Sequence, residues 1–392
     1  MKNKKRTLPG LLGERIFLLI LAFLVTLFFS NDFGLIDIQK TAIILAAGVD
    51  RGEDGTYEVT AQIAVPHPSD TGAQSSAVSV SGKGDTVAQA FREINAVTGW
   101  YPKLIFCNVI LLGEDAAKED VFDFLGYFLR DEYMSDNCLL ALCEGTAKDI
   151  LAAQTAVEQT PALALDKVLA SESTAAGTTA SVNLKDFAAG YYSESQSGYM
   201  PYLKRISASS PAAKTGEQSG GKSAGEDVLQ ASCAALFFGG KCVDVLPEDE
   251  SFALHLTENK IRQATLEVAT DDGVYALTMS RINAKIALEA EGAPRLKISL
   301  SAVVRTIDHN EAASIGETAA SNVVKKEVLA AAEKKLKGDL TAVFERSKQK
   351  NADVFLCLNR LKKYRYEYFA AYENDLLSRL TAEFTVKLKE TY

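Results

Sequence analysis

The chain has 392 residues, 47% of them hydrophobic and 24% charged, with 42 Lys and Arg against 51 Asp and Glu. That length fits two or three domains of ~100–200 residues, and the apolar fraction excludes a wholly disordered or collagen-like chain. Three His and a net charge of −9 exclude a multi-histidine metal centre and argue against a dedicated nucleic-acid binder. The charge is uneven: net +4 over residues 1–30, −18 over 31–321 and +5 over 322–392.

Lys2, Lys4, Lys5 and Arg6 precede an apolar run at residues 16–29 (IFLLILAFLVTLFF). This is the layout of an export signal. As a helix the run is about 21 Å long at ~1.5 Å per residue, against a hydrocarbon core of ~30 Å. Three readings compete: an uncleaved anchor, a cleaved signal and a buried core helix. Cleavage after Ser30 would leave Phe28 at position −3, where a small residue is wanted, so the anchor over 1–30 is preferred. The basic end then stays in the cytoplasm and the body lies outside the membrane. Six Cys face that exterior, none in a Cys-x-x-Cys pair. Cys107, Cys138, Cys143 and Cys357 sit in apolar stretches and read as buried thiols rather than disulfides.

Residues 41–49 read as a buried strand, 50–55 (DRGEDG) as a turn and 57–65 as an alternating strand, together a hairpin. Residues 77–81 form another short strand. Thr86 with Gln89 has capping-box spacing ahead of a helix carrying Phe91 and Ile94. Residues 104–112 (LIFCNVILL) read as a buried strand, 121–129 as a helix and 138–143 as a strand, with Thr146 and Asp149 capping a short helix beyond. This is an N-terminal α+β domain over 36–150. A smaller middle domain or extension spans 151–206, with helices at 161–170 and 184–192 and a strand at 199–206. Residues 207–227, rich in Ser, Gly and Ala, are a flexible linker.

Strands at 231–238 and 241–246 flank Gly239-Gly240, a hairpin signal that sets Phe238 against Lys241 and offsets Cys233 from Cys242. Strands at 261–269, 274–289 and 295–307 continue a meander. Ser314 and Glu317 mark a capping box before a long helix ending near Lys350, with Val324, Val328, Ala332, Leu336, Leu340 and Phe344 on one stripe. Residues 380–389 alternate as a terminal strand. The C-terminal domain, 228–392, is thus an antiparallel sheet packed on a long helix. The whole is α+β: a membrane-anchor helix, mixed sheet and helix, then that sheet.

No catalytic, cofactor-binding, metal-binding or lipidated residue is assigned. Residues 216–223 (GEQSGGKS) match a P-loop but lie in the linker, without the strand and helix a phosphate cradle needs. Ser219 and Lys222 share that linker. His67, His255 and His309 have no neighbouring nucleophile in sequence. Residues 50–55 carry oxygens for a weak calcium site, and a hairpin turn explains them better. Residues 360–372 (RLKKYRYEYFAAY) read as a solvated helix with inward tyrosines, or as a contact for a partner or an anionic lipid surface.

The ordered segments resemble the Ger(x)C family, the C subunits of spore nutrient germinant receptors. Residues 42–50 (AIILAAGVD) with 57–63 (YEVTAQI), Ser81-Gly-Lys-Gly84, residues 109–114 (VILLGE), Phe128-Leu-Arg130-Asp131, residues 147–151 (AKDIL) and residues 351–355 (NADVF) follow the family's order over about 36–392. Members are typically lipoproteins ending their signal at a lipidated Cys. Here Ser30-Asn31-Asp32 stands at that place, so attachment by the apolar segment is implied. Asp131-Glu132 replaces the family's Asp-Pro, and Cys107-Asn108 its Gly-His. The resemblance implies a non-enzymatic, cofactor-free subunit in the spore inner membrane, beside two integral-membrane subunits, one transporter-like. The alternatives are an exported module holding a small molecule in an apolar pocket, and an extracytoplasmic hydrolase.

Overall fold

The computed structural model describes residues 8–30, 41–65, 76–153, 155, 158, 160–170, 177, 179–207, 227–311, 324–373 and 375–390. The chain divides into two units, Met1–Thr41 and Ala42–Tyr392.

The first unit contributes helix α1 (Leu8–Ser30). Its described side chains, Arg15 to Thr26 and Phe28, are all exposed. Among the described residues no helix is long and apolar enough to cross a membrane. The expected anchor is thus found as a helix and not shown as a span: Ile16 to Thr26, where side chains are described, covers only about 16 Å.

In the second unit, β1 (Thr41–Arg51) and β2 (Tyr57–Val65) form an antiparallel hairpin, and β3 (Ser76–Gly84) continues it. Gly55, at φ +79°, closes the turn. Helix α2 (Val87–Thr98) follows, with Thr86 Oγ1 accepting from Gln89 N–H and Gln89 Oε1 accepting from Asp85 N–H. It packs close to β3 because residue 82 is Gly: a Cβ there would sit 2.3 Å from the Ala90 carbonyl oxygen. After β4 (Tyr101–Lys103), strand β5 (Val109–Leu112) runs parallel to β1. Helix α3 (Phe122–Arg130) returns the chain to β6 (Leu139–Cys143), parallel to β5. Helices α4 (Ala147–Leu151), α5 (Pro161–Leu169) and α6 (Leu184–Tyr191) lead to β7 (Ser197–Ser207), parallel to β6. Parallel neighbours need such helical crossovers. Then β8 (Asp227–Phe238) and β9 (Lys241–Leu246) add antiparallel strands.

The result is one sheet in the order β3-β2-β1-β5-β6-β7-β8-β9, with β4 also on β1. The region 151–206 is thus built onto this sheet, and a boundary at 207–227 falls between hydrogen-bonded strands. Strand alternation feeds two cores. Ile110, Leu112, Leu140 and Leu142 face α2, α3 and α6, whereas Val109, Leu111 and Ala141 face α4 and α5.

Helix α7 (Glu248–Leu256), absent from the sequence reading, leads to a second sheet of β10 (Gln263–Thr270), β11 (Gly273–Glu289), β12 (Arg295–Glu311) and β13 (Thr381–Glu390). Helix α8 (Lys326–Gln349) lies on one face, burying Val328, Ala332, Leu336, Leu340 and Phe344. Helices α9 (Cys357–Tyr364), α10 (Tyr366–Tyr372) and α11 (Leu376–Arg379) complete the chain.

Three local expectations are corrected. The last strand is parallel to β12, not antiparallel, because the α8–α11 crossover brings the chain back to the end where β12 began. Of residues 104–112, only Val109–Leu112 is strand. Helix α8 starts at Lys326; the Ser314–Glu317 capping box lies outside the described residues, as do the P-loop match, Ser219, Lys222 and His67.

Candidate functional site

The most connected polar cluster joins the turn before β7 to the turn after α8. Residues 193–197 (SESQS) supply Ser195 and Ser197; residues 351–355 (NADVF) supply Asp353. Asp353 Oδ2 accepts from Ser195 Oγ at 2.7 Å and from Leu358 N–H at 2.8 Å. Asp353 N–H donates to Ser197 Oγ at 2.9 Å, and Asn359 N–H donates to Ser195 Oγ at 3.2 Å. Lys362 pairs with Glu194 on the rim. Asn351 and Leu356 adopt left-handed φ values of +55° and +52°, uncommon for residues other than Gly. The cluster therefore holds a tight, strained turn against the first sheet. Asp353 Oδ1 is buried without a hydrogen-bond partner in the structure. A cleft of about 320 Å³ lies beside it, lined by Glu194, Asp353, Glu373 and Asp375 among others.

Asp50, expected in a turn, instead ends the buried part of β1. Its Oδ1 accepts from Ala147 N–H at 2.7 Å and its Oδ2 from Lys148 N–H at 3.0 Å, capping α4. Burial pushes its carboxyl above the ordinary range, and those two bonds offset only part of the rise. Residue 113 must be Gly, since a Cβ would meet Asp50 Oδ1 at 2.0 Å. Three segments that carry the sequence resemblance (48–50, 109–114 and 147–151) thus converge on one buried cap. Gln62 does similar work unforeseen from sequence: its Nε2 donates to the Leu151 carbonyl and its Oε1 accepts from Ala162 N–H.

The histidines do not assemble into a reactive group. His255 is buried on α7, stacked on Tyr199 with ring centroids 6.0 Å apart, and burial pulls its pKa down to about 4. His309 stacks on Tyr275. His255 Nε2 and the Tyr199 hydroxyl are both buried without hydrogen-bond partners in the structure. Tyr199 also lines a cleft of about 580 Å³ between the two sheets, with Asp186, Glu258, Lys260, Asn359 and Arg360. All six Cys are free thiols, five of them buried. Of the 360–372 segment, Tyr368 and Tyr372 pack against the core while Tyr364 and Tyr366 are exposed.

Residues 35–205 match the family model described as spore germination protein N-terminal domain, and residues 232–390 match that described as spore germination B3/GerAC like, C-terminal. Among solved structures the chain is similar to the crystal structure of the GerBC protein. The identity is 16%, the TM-score 0.51, and the match covers 91% of this chain and all of that one. At that identity the likeness is one of fold. No curated protein matches the chain.

Proposed function

The chain belongs to the Ger(x)C family of spore germination proteins, and we propose that it is a membrane-anchored, extracytoplasmic, non-enzymatic subunit of a germinant receptor complex. One observation carries the non-enzymatic part. The polar residues in the segments of resemblance serve the fold: Asp50 caps a helix and Asp353 ties the two sheets together. Both carboxylates accept main-chain N–H bonds, a structural role that accounts for their burial. Surfaces are then what remains for function. Helix α1, apolar and exposed on its described length, supports the anchor, because a helix hydrophobic all round belongs in a protein core or a membrane. The partners in this reading are two integral-membrane receptor subunits, one transporter-like, in the spore inner membrane. Affinity purification of the full chain from spore membranes tests it. Recovery of two polytopic proteins is expected, together with loss of nutrient germination on deletion. A lone chain with normal germination would overturn it.

The 580 Å³ cleft favours a second reading, a small-molecule module. It holds charges of both signs and a buried, unpartnered Tyr199 hydroxyl, so the pocket in this reading is polar rather than the apolar one expected from sequence. Calorimetry of the detergent-solubilised chain against amino acids and sugars decides; heat lost on Tyr199→Phe supports this reading, and no heat with any ligand removes it.

A further inference from the structure

Strands β1, β5 and β6 are mutually parallel, so their N-terminal ends share one edge of the first sheet. The chain reaches that edge at Val109 through residues 104–108 and at Leu139 through residues 131–138, and β1 begins there at Thr41. Strand β4 pairs with β1 beside it.

The 104–107 segment is a β-turn: Cys107 N–H donates to the Leu104 carbonyl at 2.9 Å. Leu104 and Cys107 are buried. The two corner positions are Ile105 and Phe106, 51% and 54% exposed. Turn corners ordinarily carry Gly, Asn, Asp, Pro or Ser, because those residues favour the backbone and cost nothing in water. Two large apolar side chains held outward at a turn tip therefore need a partner. Around the tip stands a collar. Lys103 Nζ lies 4.0 Å from the Tyr133 ring centre and 5.2 Å from that of Tyr101, and these tyrosines are 42% and 60% exposed. Trp100 stands next to Tyr101 in the chain, partly buried against the core.

An aliphatic-aromatic tip next to Lys103 and the two tyrosines it contacts matches what the bilayer interface selects, where amphipathic rings and snorkelling lysines sit at headgroup level. The charges alongside, Arg92, Lys103 and Arg130 against Asp131 and Glu132, leave a net of only +1, so attraction to anionic lipid is a minor contribution beside the apolar tip. The membrane is the occupant that the rest of the chain supports, since α1 is apolar and its described side chains are exposed.

We propose that the 104–107 turn and its Tyr-Lys collar form a membrane-contact rim, with Ile105 and Phe106 inserted into the interfacial zone of the bilayer that holds α1. The proposal rests on the anchor reading of α1. The test uses the full chain carrying Trp100→Phe and Phe106→Trp, which moves its sole tryptophan to the tip. It is reconstituted into phosphatidylcholine vesicles with plain or brominated acyl chains. The chain is expected to float with the vesicles, and its emission to be quenched about two-fold by bromolipid, as suits a side chain ~5–10 Å deep. Adding Ile105→Ser should weaken the quenching. Flotation without quenching overturns the rim and leaves the anchor standing; the tip then belongs to a protein partner. Failure to float removes the anchor, and the rim with it. Should Trp100→Phe unfold the chain, native Trp100 serves as reporter, and Ile105→Ser with Phe106→Ser must reduce its quenching.

Discussion

In the first sheet, β5 is buried at all four positions, with α2, α3 and α6 on one face and α4 and α5 on the other. In the second sheet, β10 alternates strictly between buried and exposed, and α8 covers one face only. The bare face carries charge instead: Lys297 pairs with Glu289 at 2.8 Å and lies 3.8 Å from Glu383. In the first sheet the helices that join the parallel strands fall on both faces, whereas the second sheet, antiparallel except for β12–β13, has its long helix on one face and leaves the other to solvent. The first sheet is therefore a sealed body that can expose function only at its edges and loops. The second offers a whole face. Between them, Leu236 and Leu246 of the first sheet share a core with Leu254, Phe344 and Phe355, so the two halves stabilise each other.

Substitutions at four positions probe this contrast by chemical denaturation. Phe128→Ala, in the doubly covered sheet, is expected to cost about 3–5 kcal/mol; a loss below ~1 kcal/mol would show that this core is loose. His255, buried at the seam, gives the next effect. It stays neutral when folded, with its pKa down near 4 from 6.5, while the unfolded chain takes up a proton below about 6.5. Its contribution is therefore fully present above pH ~6.5 and is lost as pH falls towards 4, by up to about 3 kcal/mol. The wild-type stability minus that of His255→Phe should trace this loss, and a flat difference would contradict it. Asp353→Ala should cost about 1–3 kcal/mol, since Ser195 Oγ and Leu358 N–H lose their acceptor. Asp353→Asn, which keeps an acceptor oxygen, should cost less; equal losses would mean that the charge, not the hydrogen bonds, holds the seam. Lys297→Ala on the bare face should change stability by less than ~0.5 kcal/mol at moderate salt, and a larger effect would show that this face is a cooperative charge network.

Much of the fold was legible locally. Apolar alternation marked β2, β11 and β13; Gly239-Gly240 placed the β8–β9 turn in the register found, Phe238 opposite Lys241; Thr86 and Thr146 both cap as spaced. Errors came where an apolar run served two purposes. Residues 104–112 look continuous, yet half are a turn that points Ile105 and Phe106 outward, and hydropathy alone cannot separate a buried strand from an exposed apolar tip. The Ser195–Asp353 cluster was hidden for another reason. Its members are 158 residues apart in sequence, and neither a Ser-rich turn nor a single Asp signals a partner at that distance.

Composition and pattern by themselves determined the α+β class, the apolar N-terminal helix, most of the strands and the order of family segments, because each depends on residues close together in the chain. Only the tertiary structure decided that β8 and β9 complete the first sheet, that β13 runs parallel to β12, and that Asp50 caps a helix some hundred residues away. Those outcomes depend on which buried polar groups and strand edges find partners across space, and local sequence does not encode that choice.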